Sequence, residues 1–157
     1  MCIRDSGYEV LAAAQRDQGD EDAALETLIE WHARGGHDPD TLQSLAADLT
    51  VAGRDDEAIA VLESLNWVMP YVSDEHAQLG NHYLAKGDAQ RAIREFDALL
   101  AMREDDPAQA YLGKARAALL LDDRVVARRQ VLNALENSPF YRPAQKLLLE
   151  LTGDHRD

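Results

Sequence analysis

Small and apolar residues recur along this chain with a period near 34 residues. Alanine or glycine stands at Ala12, Ala46, Gly80 and Ala115, at intervals of 34, 34 and 35. A second column, Ala24, Ala58, Ala92 and Ala127, keeps the same intervals, and so does a third, Gly19, Gly53, Gly87 and Asp122. Between the columns, apolar residues follow helical spacing. Leu42, Leu45, Ala46 and Leu49 share one face; Ala58, Leu62 and Leu65 share the next. The third column falls between two such faces and reads as a turn, since glycine accepts positive φ and the Asp88 after Gly87 can cap a following helix. Each period therefore reads as two helical faces joined by a turn, with a small residue at a fixed place on each. An unrelated helical bundle is the alternative, but it has no reason to hold three columns to one period.

In order, the chain divides into repeats at 7–38, 39–72, 73–107 and 108–141, a last helix at 142–151, and a tail from 152 to 157 expected to fray. In the first repeat Tyr8, Leu11 and Ala12 share a face, and Trp31 is assigned to core or inter-repeat packing. Gly35-Gly36 ends its second helix. Asp38-Pro39 opens the next as a cap followed by proline at the first helical position. Asp106-Pro107 has the same form. Trp67 and Met69 are placed past the second helix of their repeat, covering a joint, with an exposed aromatic anchor as the alternative for Trp67. In the final helix Leu147, Leu148 and Leu151 would cover the open end of the array, while Lys146 and Glu150 keep it soluble.

One stretch carries a more specific signal. From Ser73 to Pro107 the chain holds Leu79-Gly80, Tyr83, Gly87-Asp88, Ala92 and Phe96 in that order. This resembles the tetratricopeptide repeat (TPR), W-x2-L-G-x2-Y followed by A-x3-F and a proline, with His76 in the tryptophan slot. The fourth repeat departs from the pattern twice, with Lys114 where leucine is expected and Asp122 in place of the turn glycine. The resemblance implies an all-α fold, a right-handed α-solenoid of about four helix pairs plus a capping helix. It also implies a protein-interaction scaffold whose first helices line a concave groove for a peptide or partner helix. Carried over, that groove would comprise Asn81, Leu84, Gln109, Leu112, Arg116, Leu119 and Lys146, with Gln43, Ala47, Asp74 and Ala77 beside them. Leu84, Leu112 and Leu119 would give an apolar floor, Asn81 would grip a peptide backbone, and Arg116 would hold a carboxylate unless it pairs with a neighbouring acid. TPR receptors for chaperone tails use a clamp of lysines, asparagines and arginine. Here Ala77 stands where a clamp lysine is needed, although Asn81 fits the asparagine slot, so a chaperone tail is not the expected ligand.

Charge changes this picture at one end. The net charge is −13. The segment 7–38 has 8 acids and 2 bases, 39–72 has 6 and 1, and 73–107 has 8 and 4, but 108–141 has 3 and 5. The front of the array repels nucleic acid and anionic membrane, and a pentatricopeptide-type RNA-binding reading conflicts with it. No run of 18 apolar residues occurs, so no membrane insertion is expected. Arg124, Arg128 and Arg129 fall on an outer helix and read as a solvated surface.

Met1 to Ser6 resembles the translated end of a transposase-type sequencing adapter and is set aside from the fold. On that reading Cys2, the only cysteine, is foreign, and the chain is a C-terminal piece of a longer, bacterial protein whose compartment stays open.

Catalytic chemistry is sparse. The five histidines form no H-E-x-x-H and no metal-ligand pair at helical spacing. Asp20-Glu21-Asp22, Asp55-Asp56-Glu57 and Asp105-Asp106 fall at helix starts, where acids cap and complement the helix dipole. No glycine-rich phosphate loop appears. No enzyme and no cofactor are expected of this chain itself. The alternative function is the C-terminal arm of a longer enzyme. The ending from Ala127 to Leu151 resembles TPR tails of bacterial proteins, including some attached to zinc-peptidase-like domains.

Overall fold

The computed structural model describes residues 5–102 and 106–153, and all regular structure among them is helical. The chain forms two compact units, divided after Pro70. The first holds α1 (Asp5–Asp17), α2 (Glu21–Ala33), α3 (Pro39–Val51) and α4 (Asp55–Val68). The second holds α5 (Ser73–Ala85), α6 (Ala89–Ala101), α7 (Ala108–Leu120), α8 (Arg124–Asn137) and α9 (Arg142–Gly153).

The turn column closes every helix pair by one device. Gly19, Gly53 and Gly87 have φ of 79, 69 and 75°, and Asp122 takes 57° in the same slot. Around each, two backbone hydrogen bonds satisfy the last carbonyls of the preceding helix. In α5 the N–H of Asp88 donates to Tyr83 O at 2.8 Å and that of Gly87 to Leu84 O at 3.0 Å. The fourth turn repeats this with Asp123 to Ala118 at 2.9 Å and Asp122 to Leu119 at 3.0 Å. Asp122 can stand for glycine because aspartate is among the few residues that visit the left-handed region, at some cost. The next residue then caps the following helix: Asp20, Asp88 and Asp123 each accept from a backbone N–H three residues on.

In the first unit α1 packs on α2 and α3 on α4, with α2 meeting α3. Ala12, Ala24, Ala46 and Ala58 are all buried, as the small columns require. Trp31 is buried, 1% exposed, and lies so close over Gly36 that a Cβ there would collide with the indole. The second glycine of Gly35-Gly36 thus makes room as well as ending α2. Asp38 accepts from Thr41 N at 3.0 Å, with Pro39 at the first helical position. Two expectations change. Leu11, expected inward, is exposed. Helix α4 runs through Val68, so Trp67 lies on it rather than past it, 89% exposed.

In the second unit Phe96 of α6 is the centre. It is fully buried between two glycines. A Cβ on Gly80 of α5 would lie 2.7 Å from Phe96 Cζ, and one on Gly113 of α7 would lie closer still. His76, in the tryptophan slot, is buried with its Nδ1 2.7 Å from Glu95 Oε2 of α6. A polar ring can replace an apolar one there because α6 supplies a partner. Lys114, likewise in an apolar slot, reaches back to Asp97 of α6 at 2.6 Å. At the start of α7 the cap shifts by one residue. Pro107 occupies the boundary, and Asp106 Oδ1 accepts from Ala108 N at 3.0 Å.

Helix α9 buries Ala144 and Leu151 against the cluster of Leu112, Ala115, Ala118 and Val131, with Leu147 and Leu148 packed beside them. It continues through Gly153, so Thr152 and Gly153 of the expected tail are helical, and 154–157 lie outside the described residues. Of the six residues set aside as adapter-like, 1–4 lie outside the described residues, and Asp5 and Ser6 open α1.

Candidate binding face

The first helices of the two pairs in the second unit, α5 and α7, lie in contact and share a face. The sequence columns place Asn81 and Arg116 in the same slot of consecutive helices, more than two turns from each start. Both are exposed, as is Gln109. None of these three is tied to another described residue. Leu84 and Leu119 are half-buried, Leu119 against the cluster that α7 forms with α8 and α9. Leu112, expected in the floor, is instead 2% exposed within the core cluster. The reason is local: α7 is packed by α5, α6 and α8, so its inward faces are covered more completely than those of α5. Lys146 is exposed on α9 and shares its charge with Glu150 at 3.9 Å.

The other end of this face is acidic. Asp74, Ala77, Leu99, Asp106 and Gln109 line a cleft of about 90 Å³ between the starts of α5 and α7. That is room for only a few water molecules, so it is a dent in a broader face and not a ligand chamber. Asp106 is held there by Ser138 Oγ, which donates to its Oδ1 at 3.0 Å. The face is therefore polarised along the helices, with carboxylates at the helix starts and a guanidinium two turns on. In the sequence Asp106 reads as a helix cap, and that role alone does not announce its place in this cleft.

The corresponding face of the first unit is tied shut. Thr41 Oγ1 of α3 donates to Glu9 of α1 at 3.0 Å, and Arg16 of α1 is hydrogen-bonded to Asp48 of α3. Arg16 also lies 3.7 Å from Glu21. The cleft between α1 and α3, lined by Glu9, Arg16, Asp40, Thr41 and Ser44, is thus bridged by its own side chains.

The groups with shifted pKa values belong to caps and helix pairs. The backbone N–H and guanidinium of Arg91 hold Asp88 below the usual carboxylate range. The guanidinium of Arg54 does the same for Glu57, and burial pushes His32 down. No group of three His, Cys, Asp or Glu side chains among the described residues could hold a metal ion. No helix among them is long and apolar enough to cross a membrane.

No protein-family model and no curated protein sequence matches the chain. Solved structures do. MamA from Desulfovibrio magneticus RS-1, from residue 41 to its end, is 19% identical with a TM-score of 0.75, covering 98% of this chain and 86% of that one. YrrB, described as a TPR protein with an unusual peptide-binding site, is 15% identical with a TM-score of 0.75, covering 91% and 73%. The first TPR domain of Spaghetti (RPAP3), bound to an HSP90 peptide, is 18% identical with a TM-score of 0.67, covering 74% and 91%. Identities this low speak to architecture alone, and on architecture the helix pairs, the turn column and the neighbours agree: this chain has the tetratricopeptide-repeat fold.

Proposed function

We propose that the chain is a protein-interaction scaffold, and that its ligand face is the α5–α7 face of the second unit. The observation that carries this reading is Arg116. It is exposed on a first helix and forms no ion pair with any described residue, so its charge is available to a ligand carboxylate. Asn81 in the same slot of α5 can donate to and accept from a peptide backbone. Leu84, one turn on from Asn81, and Leu119, one turn on from Arg116, are half-buried and offer limited apolar contact. The ligand is an extended or helical segment with an apolar anchor and an acidic group. Two neighbours of this fold are described as binding peptides, which supports the class of ligand. The clamp lysine of chaperone-tail receptors has no counterpart here, because Ala77 holds its slot, so the HSP90 peptide itself is not the proposed ligand.

The test begins with a partner recovered by pull-down on the wild-type chain. Its affinity is then measured for Arg116→Glu, Asn81→Ala and Arg94→Glu, the last an exposed residue of α6. Arg116→Glu weakens binding by about tenfold or more, since an opposed charge replaces a charge-assisted bond. Asn81→Ala weakens it less and Arg94→Glu leaves it unchanged. Equal binding by all three variants and the wild type overturns the proposal.

A further inference from the structure

The second exposed surface with a definite chemistry lies on α8, away from the α5–α7 face. In a chain of net charge −13, this helix carries Arg124, Arg128 and Arg129 and a single acid, Glu136. All three arginines are exposed, with Val125 (81% exposed) among them and the exposed Leu132 one turn beyond Arg128. With Leu151 of α9 they line a shallow cleft of about 470 Å³. Arg128 and Arg129 form no ion pair with any described residue. A charged and apolar stripe of this kind fits an amphipathic acidic helix.

The chain itself contains one. On α4 the outward positions are Asp56, Ala60, Glu63 and Trp67, all exposed. The spacing matches that of α8. Glu63 and Trp67 are four residues apart, as are Arg128 and Leu132. A parallel crossing sets Glu63 beside Arg128, Trp67 over Leu132 and Ala60 against Val125. We infer that α8 of one copy docks α4 of a second copy, with the acidic first unit as the partner surface. The contact is heterologous. Each assembly keeps one unused face of either kind, and growth continues with concentration unless a ring closes. Trp67 is the apolar anchor and the arginines set the register, the usual division between aromatic anchor and charged rim.

The test is the mass of the full chain in solution, by sedimentation velocity from micromolar to millimolar concentration. The wild type gives a mass that rises above the monomer. Arg128→Glu and Glu63→Arg each shift that rise to at least about tenfold higher concentration, with helicity unchanged. The double variant Arg128→Glu/Glu63→Arg restores it, because the charges are exchanged across the contact, and Arg94→Glu behaves as wild type. A wild type that stays monomeric throughout overturns the inference. So does an Arg128→Glu variant that associates like the wild type, or a double variant no better than the singles. None of these outcomes bears on partner binding at Arg116, which is measured separately.

Discussion

The two units use one helix-pair grammar and finish their first-helix faces differently. In the first, Glu9–Thr41 and Arg16–Asp48 join α1 to α3 across the face. In the second, Asn81, Gln109 and Arg116 project from α5 and α7 with no tie to a described residue. The difference teaches where a repeat array is spare. Polar side chains that satisfy one another lend little to a ligand, whereas a solvated arginine beside half-buried leucines needs only to exchange water for a partner. The face that carries Asn81 and Arg116 is held from beneath. Phe96 presses on Gly80 and Gly113, which fixes α5 and α7 over α6.

The largest way to break the contrast is to remove that support. Phe96→Ala leaves a cavity under both first helices and costs about 3–5 kcal/mol, read as a fall in the denaturant midpoint. Binding at Arg116 should fail with it while the variant remains partly helical. Next is overpacking. Ala92, fully buried on α6, faces the pair contact, and Ala92→Leu costs on the order of 1–3 kcal/mol. Ala89 sits on the turn side of the same helix but is only 4% exposed, so it does not serve as an idle comparison; the exposed Gln90→Leu does. Equal melting temperatures for Ala92→Leu and Gln90→Leu would reject the repeat register.

Smaller and opposite in sign is Asp122→Gly. The left-handed slot at φ 57° disfavours aspartate, so glycine raises stability by about 1 kcal/mol. The fourth turn then matches the other three, and a loss of stability would show that the Asp122 side chain matters more than its backbone. The smallest effect sharpens the first unit. His32 of α2 lies 2.8 Å from Ser64 Oγ of α4, and burial holds its pKa below 6.5. As pH drops through 6.5 the unfolded chain takes up the proton before the folded one. Stability therefore falls there and levels off below the folded pKa. His32→Gln flattens that part of the melting profile, which thermal scans at stepped pH would show.

Much of this was legible in the sequence because period is a property of residue size. Gly19, Gly53 and Gly87 announce a positive φ, and the buried alanines announce a close approach. What period does not give is how far each face is covered, or what a polar residue meets. Leu112 and Ala77 share a slot, yet Leu112 is buried by the helices around α7 and Ala77 only half so. His76 departs from the motif on paper, and only the fold brings Glu95 against it. Gly113 belongs to none of the three columns, and only the fold lays Phe96, 17 residues earlier in sequence, on it. For the proposed binding face, the columns give the slots and only packing gives the exposure. Asn81 and Arg116 came from the columns, but whether Arg116 had an acid beside it depended on packing.

The central claim, that the second unit holds the ligand face, is tested most directly by mapping a bound partner on the side-chain amides and guanidinium groups in a nitrogen-resolved NMR titration. Signals of Asn81, Gln109 and Arg116 should shift together and saturate with the partner, while those of Gln15, Arg16 and Gln43 in the first unit stay in place. Movement confined to Gln15, Arg16 and Gln43, with Asn81 and Arg116 unchanged, would contradict it.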